Sequence, residues 1–178
     1  INNKLFHFRS LCKFLPHDTL NNIYTTYIQP YFDYACTIWG QCAEKDLKQL
    51  QRLQNRAARL ITKEFDYRNV RGLSLVKKLK WQSVKERIHY MNSVMMFKCL
   101  NNEAPNYLCD NFTKLQDLND YNTRASNSNV LLLPSAKSNA YRNSLSFNGA
   151  SIWNGLHENI RMQKTLTSFK KVYKEMFC

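Results

Sequence analysis

Acidic residues are scarce in this 178-residue chain: 13 Asp and Glu stand against 26 Lys and Arg, for a net charge of +13. No two acids are adjacent anywhere, and metal-dependent phosphoryl chemistry needs converging carboxylates to hold two cations. The nearest neighbours, Glu44/Asp46, Glu64/Asp66 and Asp117/Asp120, fall in loops or a helix's first turn. Solvation and the helix dipole favour carboxylates there for reasons of their own. There is no P-loop, no G-x-S-x-G and no H-E-x-x-H. His7, His17, His89 and His157 are far apart in sequence and lack the partners of a catalytic base, so they read as surface or capping residues. We therefore expect no catalytic residue, no metal ligand and no cofactor in this chain. No apolar run reaches the roughly 18 residues of a membrane span, and no signal-peptide pattern opens the sequence, so no membrane partner is expected. Cys12, Cys36, Cys42, Cys99, Cys109 and Cys178 show no C-x-x-C and no nearby His pair, which argues against zinc. Cys12, Cys36 and Cys99 lie in helical apolar patterns, where free Cys behaves as a small hydrophobe. That points to a reduced, intracellular protein, cytoplasmic or nuclear.

Positive charge, by contrast, is abundant and ordered. From Glu44 the sequence reads EKDLKQLQRLQNRAARLITK, in which Lys45, Lys48, Arg52, Arg56, Arg59 and Lys63 recur every three or four residues. At about 100° per residue they fall within a strip roughly 80° wide. Leu47, Leu50, Leu53, Ala57, Leu60 and Ile61 form a second strip on another side of the same predicted helix. One side is thus suited to dock on a core, while the other spreads cations along roughly 27 Å of axis. A nucleic-acid backbone suits such a row, because each neutralised phosphate releases condensed counterions. A merely solvated helix face usually mixes signs, with acids four residues before bases; here only Glu44 and Asp46 dilute the row. These six residues are the candidate nucleic-acid-binding set. The charge excess also belongs to the first part of the chain: residues 1–100 hold 17 Lys and Arg against 7 acids, residues 101–178 hold 9 against 6.

Periodicity makes the chain mainly α. A first helix runs from Lys4 towards Pro16, and a second from Asp18 as N-cap to Gly40, kinked at Pro30. Tyr24, Tyr27, Tyr31 and Tyr34 share one face, a spacing that marks core or interface more often than a base-stacking platform. The cationic helix follows. Glu64–Gly72 is a turn-rich linker, Leu73, Val76 and Leu79 mark a short helix, and Ser83-Val84-Lys85-Glu86 fits a capping box. The helix it opens has Val84, Ile88, Met91, Met95 and Leu100 as its inner face. Pro105 starts another short helix, and residues 109–129 are polar and Asn-rich. Val130–Leu133 has the composition of a short strand. Ser144–Leu156 is helical in part, and Thr165 or Thr167 caps a last helix. Trp39, Trp81 and Trp153 each end or enter an apolar-periodic segment and are expected as packing anchors. The expected division is a basic helical domain over 1–108, a linker over 109–129 and a C-terminal extension over 130–178. The opening Ile rather than Met fits a piece of a longer polypeptide.

Six segments in order resemble one family: YIQPYFDYACTIWG (Tyr27–Gly40), LQRLQNRAARLI (Leu50–Ile61), LKWQSVKERI (Leu79–Ile88), FKCLNNEAPNYL (Phe97–Leu108), TRAS (Thr123–Ser126) and FNGASIWNGL (Phe147–Leu156). The series is similar to the region after the polymerase core in LINE-type, non-LTR retrotransposon reverse transcriptases of the jockey-like sort, and covers nearly the whole chain. The resemblance implies a thumb-like helical bundle from near Asp18, with a smaller C-terminal part of helices in which a short strand pair has a place. It also implies an upstream palm domain as partner, magnesium in that parent polymerase and not here, and a grip on template RNA or an RNA–DNA duplex. The Ala-Asp-Asp active-site motif of the palm is absent, so no catalytic role carries over. His157 stands where family members often have Pro after the Trp-Asn-x-Leu stretch, and the terminal Cys/His zinc knuckle of some LINE lineages is missing. The expected function is that of a non-catalytic fragment of an RNA-directed DNA polymerase holding nucleic acid by its phosphates. Two rivals remain open: a helical interaction module whose basic face meets an acidic protein, and a basic amphipathic helix for a membrane surface or calmodulin. The last is disfavoured because the Leu50–Ile61 strip lacks Trp and Phe anchors.

Overall fold

Prolines and left-handed residues set several of the helix boundaries in the first half of the chain. The computed structural model describes residues 1–117 and 129–177, and these are mainly helical, as the periodicity predicts. Helix α1 spans Asn2–Leu11. Pro16 holds the extended N-cap of α2 (His17–Ile23), so Asp18 sits in its first turn instead of capping it. The long helix expected to reach Gly40 is broken twice. Pro30 has no N–H to give the carbonyl four residues back, and the chain takes up a π-helical turn over Tyr24–Ile28 just before it. There Gln29 N–H bonds to Tyr24 O, five residues earlier. Helix α3 (Gln29–Asp33) then carries Pro30 in its first turn. Ala35 adopts a left-handed conformation (φ 50°) and starts the short α4 (Cys36–Trp39). Next come α5 (Glu44–Thr62), α6 (Gly72–Lys78) and α7 (Val84–Leu100). The capping box of α7 is formed: Ser83 N–H donates to Glu86 Oε2 (2.7 Å) and Glu86 N–H to Ser83 Oγ (3.4 Å).

Two compact units divide at Ile88/His89, within α7. Most of the Asn-rich part of the 109–129 stretch, with the TRAS segment and Asp120, lies outside the described residues, as does Cys178. In unit 1, residues 1–88, the core gathers Leu5, Phe8, Leu20, Tyr24, Ile28, Phe32, Ala57, Ile61, Val76 and Val84. The Trp81 ring stacks on Tyr24 at 3.7 Å, and its indole N–H donates to Asn21 Oδ1 (2.7 Å). Arg87 forks onto Asp33 with two 2.7 Å bonds, the bidentate geometry that fixes both groups. The Cys36 thiol is pushed up to about 11 by burial, which keeps it protonated and inert.

Unit 2 contains the rest of α7, α8 (Asn106–Cys109), α9 (Asn139–Arg142), a π-helical turn (Leu145–Gly149), α10 (Ala150–Gly155), α11 (Glu158–Arg161) and α12 (Leu166–Phe177). Its core joins Val94, Met96, Phe97, Leu131, Trp153, Leu156, Ile160, Phe169 and Tyr173. The inner face expected of α7 is corrected in part: Val84 and Ile88 are buried, but Met91, Met95 and Leu100 are half-buried, and Tyr90, Val94, Met96, Phe97 and Cys99 are buried with Asn92 and Ser93. A helix apolar on most sides belongs inside a core. The candidate strand around Leu131 is one antiparallel bridge to Lys114. Asn154 completes it from the side, donating to Leu131 O and accepting from Leu131 N–H, both at 2.9 Å. Trp153, 1% exposed, donates its indole N–H to Asn129 O (2.8 Å). The Trp153-Asn154 pair thus ties the 129–131 segment onto α10. Trp39 and Trp81 are half-buried, with their indole N–H groups bonded as well. Thr165 caps α12 by accepting from Ser168 N–H (3.2 Å).

Candidate nucleic-acid interface

Helix α5 carries the candidate set. Its first turn holds Glu44 and Asp46, which complement the positive helix end. Glu44 pairs with Lys85 at 2.8 Å, and that hydrogen bond is the main reason its carboxyl titrates below its usual value. The apolar strip docks progressively: Leu47, Leu50 and Leu53 are half-buried, then Ala57, Leu60 and Ile61 are buried. A third strip of amides fixes α5 to the start of α7. Gln51 Oε1 accepts from Val84 N–H (2.9 Å), and Gln54, buried, donates to Gln82 O (2.8 Å).

Five of the six candidate cations face solvent: Lys45, Lys48, Arg52, Arg56 and Lys63 are exposed. Arg59 does not, and this corrects the reading that the whole row lies open. It is 6% exposed. Lys63 ends α5 in a left-handed conformation (φ 54°), and the chain folds back over the last helical turn. The Arg59 guanidinium donates to the carbonyls of Glu64 (3.2 Å), Asp66 (3.2 Å) and Val70 (2.6 Å). Its face lies 4.3 Å from the centre of the Tyr67 ring, a cation–π contact. Asp66 shapes the same loop by accepting from Arg68 N–H (2.9 Å), Asn69 N–H (3.0 Å) and Asn69 Nδ2 (2.8 Å). The bonds from Asn69 and Arg68 hold its carboxyl below the usual carboxylate range. The Asp66-x-x-Asn69 spacing was the available sequence signal for this turn.

The folded-back loop creates a feature that periodicity alone could not reveal. A cleft of about 320 Å³ opens beside α5, lined by Arg52, Asn55, Arg56, Arg59, Tyr67 and Gly72. Gly72 begins α6 so close to α5 that a Cβ there would meet Asn55 Cγ at 2.6 Å and Cβ at 2.7 Å. Among the described residues neither Arg52 nor Arg56 forms an ion pair. Two open guanidinium forks on one helix face can grip anions, and arginine suits phosphate oxygens bidentately.

The remaining histidines serve structure in part. His157 caps α11, its Nδ1 accepting from Asn159 N–H (3.3 Å). His89 is neither surface nor cap: it is half-buried, with Nδ1 2.7 Å from Tyr173 Oη. Among the described residues no helix is long and apolar enough to cross a membrane.

Over 71 residues the chain is 36% identical to a probable RNA-directed DNA polymerase from transposon X-element of Drosophila melanogaster. The chain resembles a small piece of a transposon polymerase. The match takes in 40% of this chain and 8% of that protein, and it supports an origin related to retrotransposon reverse transcriptases. No protein-family model matches the chain. No solved structure matches it either.

Proposed function

We propose that this chain is a thumb-like, C-terminal segment of a LINE-type reverse transcriptase, of the jockey-like sort. In this reading it grips template RNA or an RNA–DNA duplex by backbone phosphates and supplies no catalytic group. The observation that carries it is the row of Lys45, Lys48, Arg52 and Arg56, all exposed along one strip of a helix whose other side is docked. Lys63, also exposed, lies just past the last turn of the helix. Likeness to a transposon's RNA-directed DNA polymerase supports the same reading. Magnesium and the reacting carboxylates would belong to the parent's palm, and the setting would be cytoplasmic or nuclear.

Binding should be strong at low salt and weaken steeply, with a log–log slope of about 0.9 per phosphate neutralised on B-form duplex and a similar order on a hybrid. Changing both Arg52 and Arg56 to Gln keeps length and helix propensity while removing two charges. That double change should flatten the slope by about two units and leave sequence preference alone, because backbone contacts carry no base information. An unchanged slope, together with loss of binding to an acidic protein, would transfer the case to the interaction-module reading. A separate observation supports a protein partner elsewhere on unit 1. Tyr34 and Ile38 are 82% and 80% exposed, and Tyr27 and Tyr31 are exposed beside them in sequence with Lys4 over both rings. Such a patch fits contact with the upstream palm.

A further inference from the structure

The cleft beside α5 is built from more than charge. Tyr67 is 71% exposed, yet it is not loosely held. The buried Arg59 guanidinium covers one face of its ring and ties the loop on either side to α5 through the carbonyls of Glu64, Asp66 and Val70. Asp66 locks the turn next to it. A large aromatic side chain held open to solvent by a buried cation presents its ring with little conformational entropy left to lose.

The other walls complement that ring. Arg52 and Arg56 bring two exposed guanidinium groups to the cleft. Asn55 Oδ1 accepts from Gln51 Nε2 (2.9 Å), which fixes the Asn55 side chain in the wall of the cleft. Gly72 closes the wall by packing directly on the Asn55 side chain, where a Cβ would meet Asn55 Cγ at 2.6 Å and Nδ2 at 2.7 Å. At about 320 Å³ the space lies at the small end of ligand pockets, which run from roughly 300 to 1,000 Å³. Cations and an aromatic face together match phosphate and base. A double helix cannot fill such a cleft, because its bases are stacked inside and only phosphates and groove edges are accessible.

We propose that this cleft receives one unpaired nucleotide of a single-stranded stretch, its phosphate on Arg52 and Arg56 and its base stacked on Tyr67. The proposal rests on the phosphate-gripping reading of α5 and adds the form of nucleic acid that reading leaves open. Stacking on an aromatic side chain is tolerant of sequence, since every base has a π-face. The cleft would therefore hold single strand of any sequence, adjacent to the row formed by Lys45 and Lys48.

The test uses the full chain and two fluorescein-labelled probes, oligo(U) and a blunt RNA duplex of equal length, followed by anisotropy. Tyr67→Leu should weaken oligo(U) binding by about five- to a hundred-fold and leave duplex binding unchanged, and Tyr67→Phe should restore oligo(U) binding. Should Tyr67→Leu not fold, Tyr67→Trp takes its place: tighter oligo(U) binding with unchanged duplex binding is expected. Unchanged oligo(U) binding in the Leu or Trp variant overturns the nucleotide cleft, and so does an equal loss on both probes. The paired Arg52→Gln, Arg56→Gln variant separates this outcome from failure of the parent reading. If it weakens both probes while Tyr67→Leu weakens neither, the phosphate grip stands and only the cleft falls. If it weakens neither, both fall.

Discussion

Replacing Arg59 with Gln distinguishes a loop-pinning cation from a phosphate-gripping one, and the two roles forecast opposite results. Arg59 gives three hydrogen bonds to loop carbonyls and a ring contact with Tyr67, at 6% exposure. Hydrogen bonds from a charged group are each worth about 1.5–3 kcal/mol. The three are not additive here, because Asp66 is exposed and its carbonyl regains water once the guanidinium is gone. A net loss of about 2–4 kcal/mol is expected, at the upper end for a single substitution. Arg52→Gln and Arg56→Gln, both on exposed sites, should each stay within about 0.5 kcal/mol. Hydrogen exchange read by mass spectrometry localises the effect: amides of 59–79 should lose protection in Arg59→Gln, while α12 keeps its own. Urea midpoints give the magnitude. The salt slope of nucleic-acid binding should move little beyond what loosening of the loop produces. The reasoning is refuted if Arg59→Gln keeps the urea midpoint and exchange pattern of the parent while flattening the slope by about one unit. Arg59 would then be a phosphate contact after all.

Other outcomes follow from single groups. Tyr24 Oη is buried, close to the Gln54 side chain but without a well-formed hydrogen bond to it, so Tyr24→Phe should change stability by no more than about 1 kcal/mol in either direction; a larger drop in urea midpoint at neutral pH would mean that the Gln54 contact is a full hydrogen bond. Burial pushes the Tyr24 hydroxyl up to about 12, whereas an unfolded Tyr ionises near 10. Stability should thus fall above about pH 10 as the unfolded state releases its proton first, and fall less steeply in Tyr24→Phe. Gly72→Ala places a Cβ 2.6–2.7 Å from Asn55, so a loss of about 1–3 kcal/mol is expected from overpacking, and an unchanged midpoint would mean that α6 moves away freely. His89 is held below the usual imidazole value by burial. The unfolded chain therefore takes up that proton first, and stability should decline as pH drops below about 6.5. Urea midpoints measured between about pH 7.5 and 5.5 follow this, and His89→Gln should remove the decline.

Much of the helical framework was legible because it depends on neighbours a few residues apart. The capping box at Ser83/Glu86 is a four-residue device, and its bonds are formed as its spacing requires. Helix α5 follows from its own two strips, and the exposure of Lys45, Lys48, Arg52 and Arg56 follows from the same geometry. The Pro30 discontinuity was visible too, but its form was not. Whether a missing N–H yields a kink or a π-turn depends on what the displaced residues pack against, and here Tyr24 stacks on Trp81, far along the chain.

What tertiary structure alone decided lies wherever the chain returns on itself. Arg59 has the same spacing as Arg56, and periodicity treats them alike. The loop that ends at Gly72 covers one and not the other. Tyr67 and Asn55 carry no motif; they become parts of a cleft only because Lys63 turns the chain back and Gly72 lets α6 approach α5 closely. Likewise, periodicity put Met91, Met95 and Leu100 inside α7, yet Tyr90, Val94, Met96 and Phe97 are the residues buried in one core with Leu131, Trp153 and Phe169 from distant segments. The sequence by itself thus determined where the longer helices α5, α7 and α12 lie and the sign of the exposed strip, through local sterics and charge spacing. Which cations stay open, and the cavity beside them, required contacts between residues far apart along the chain.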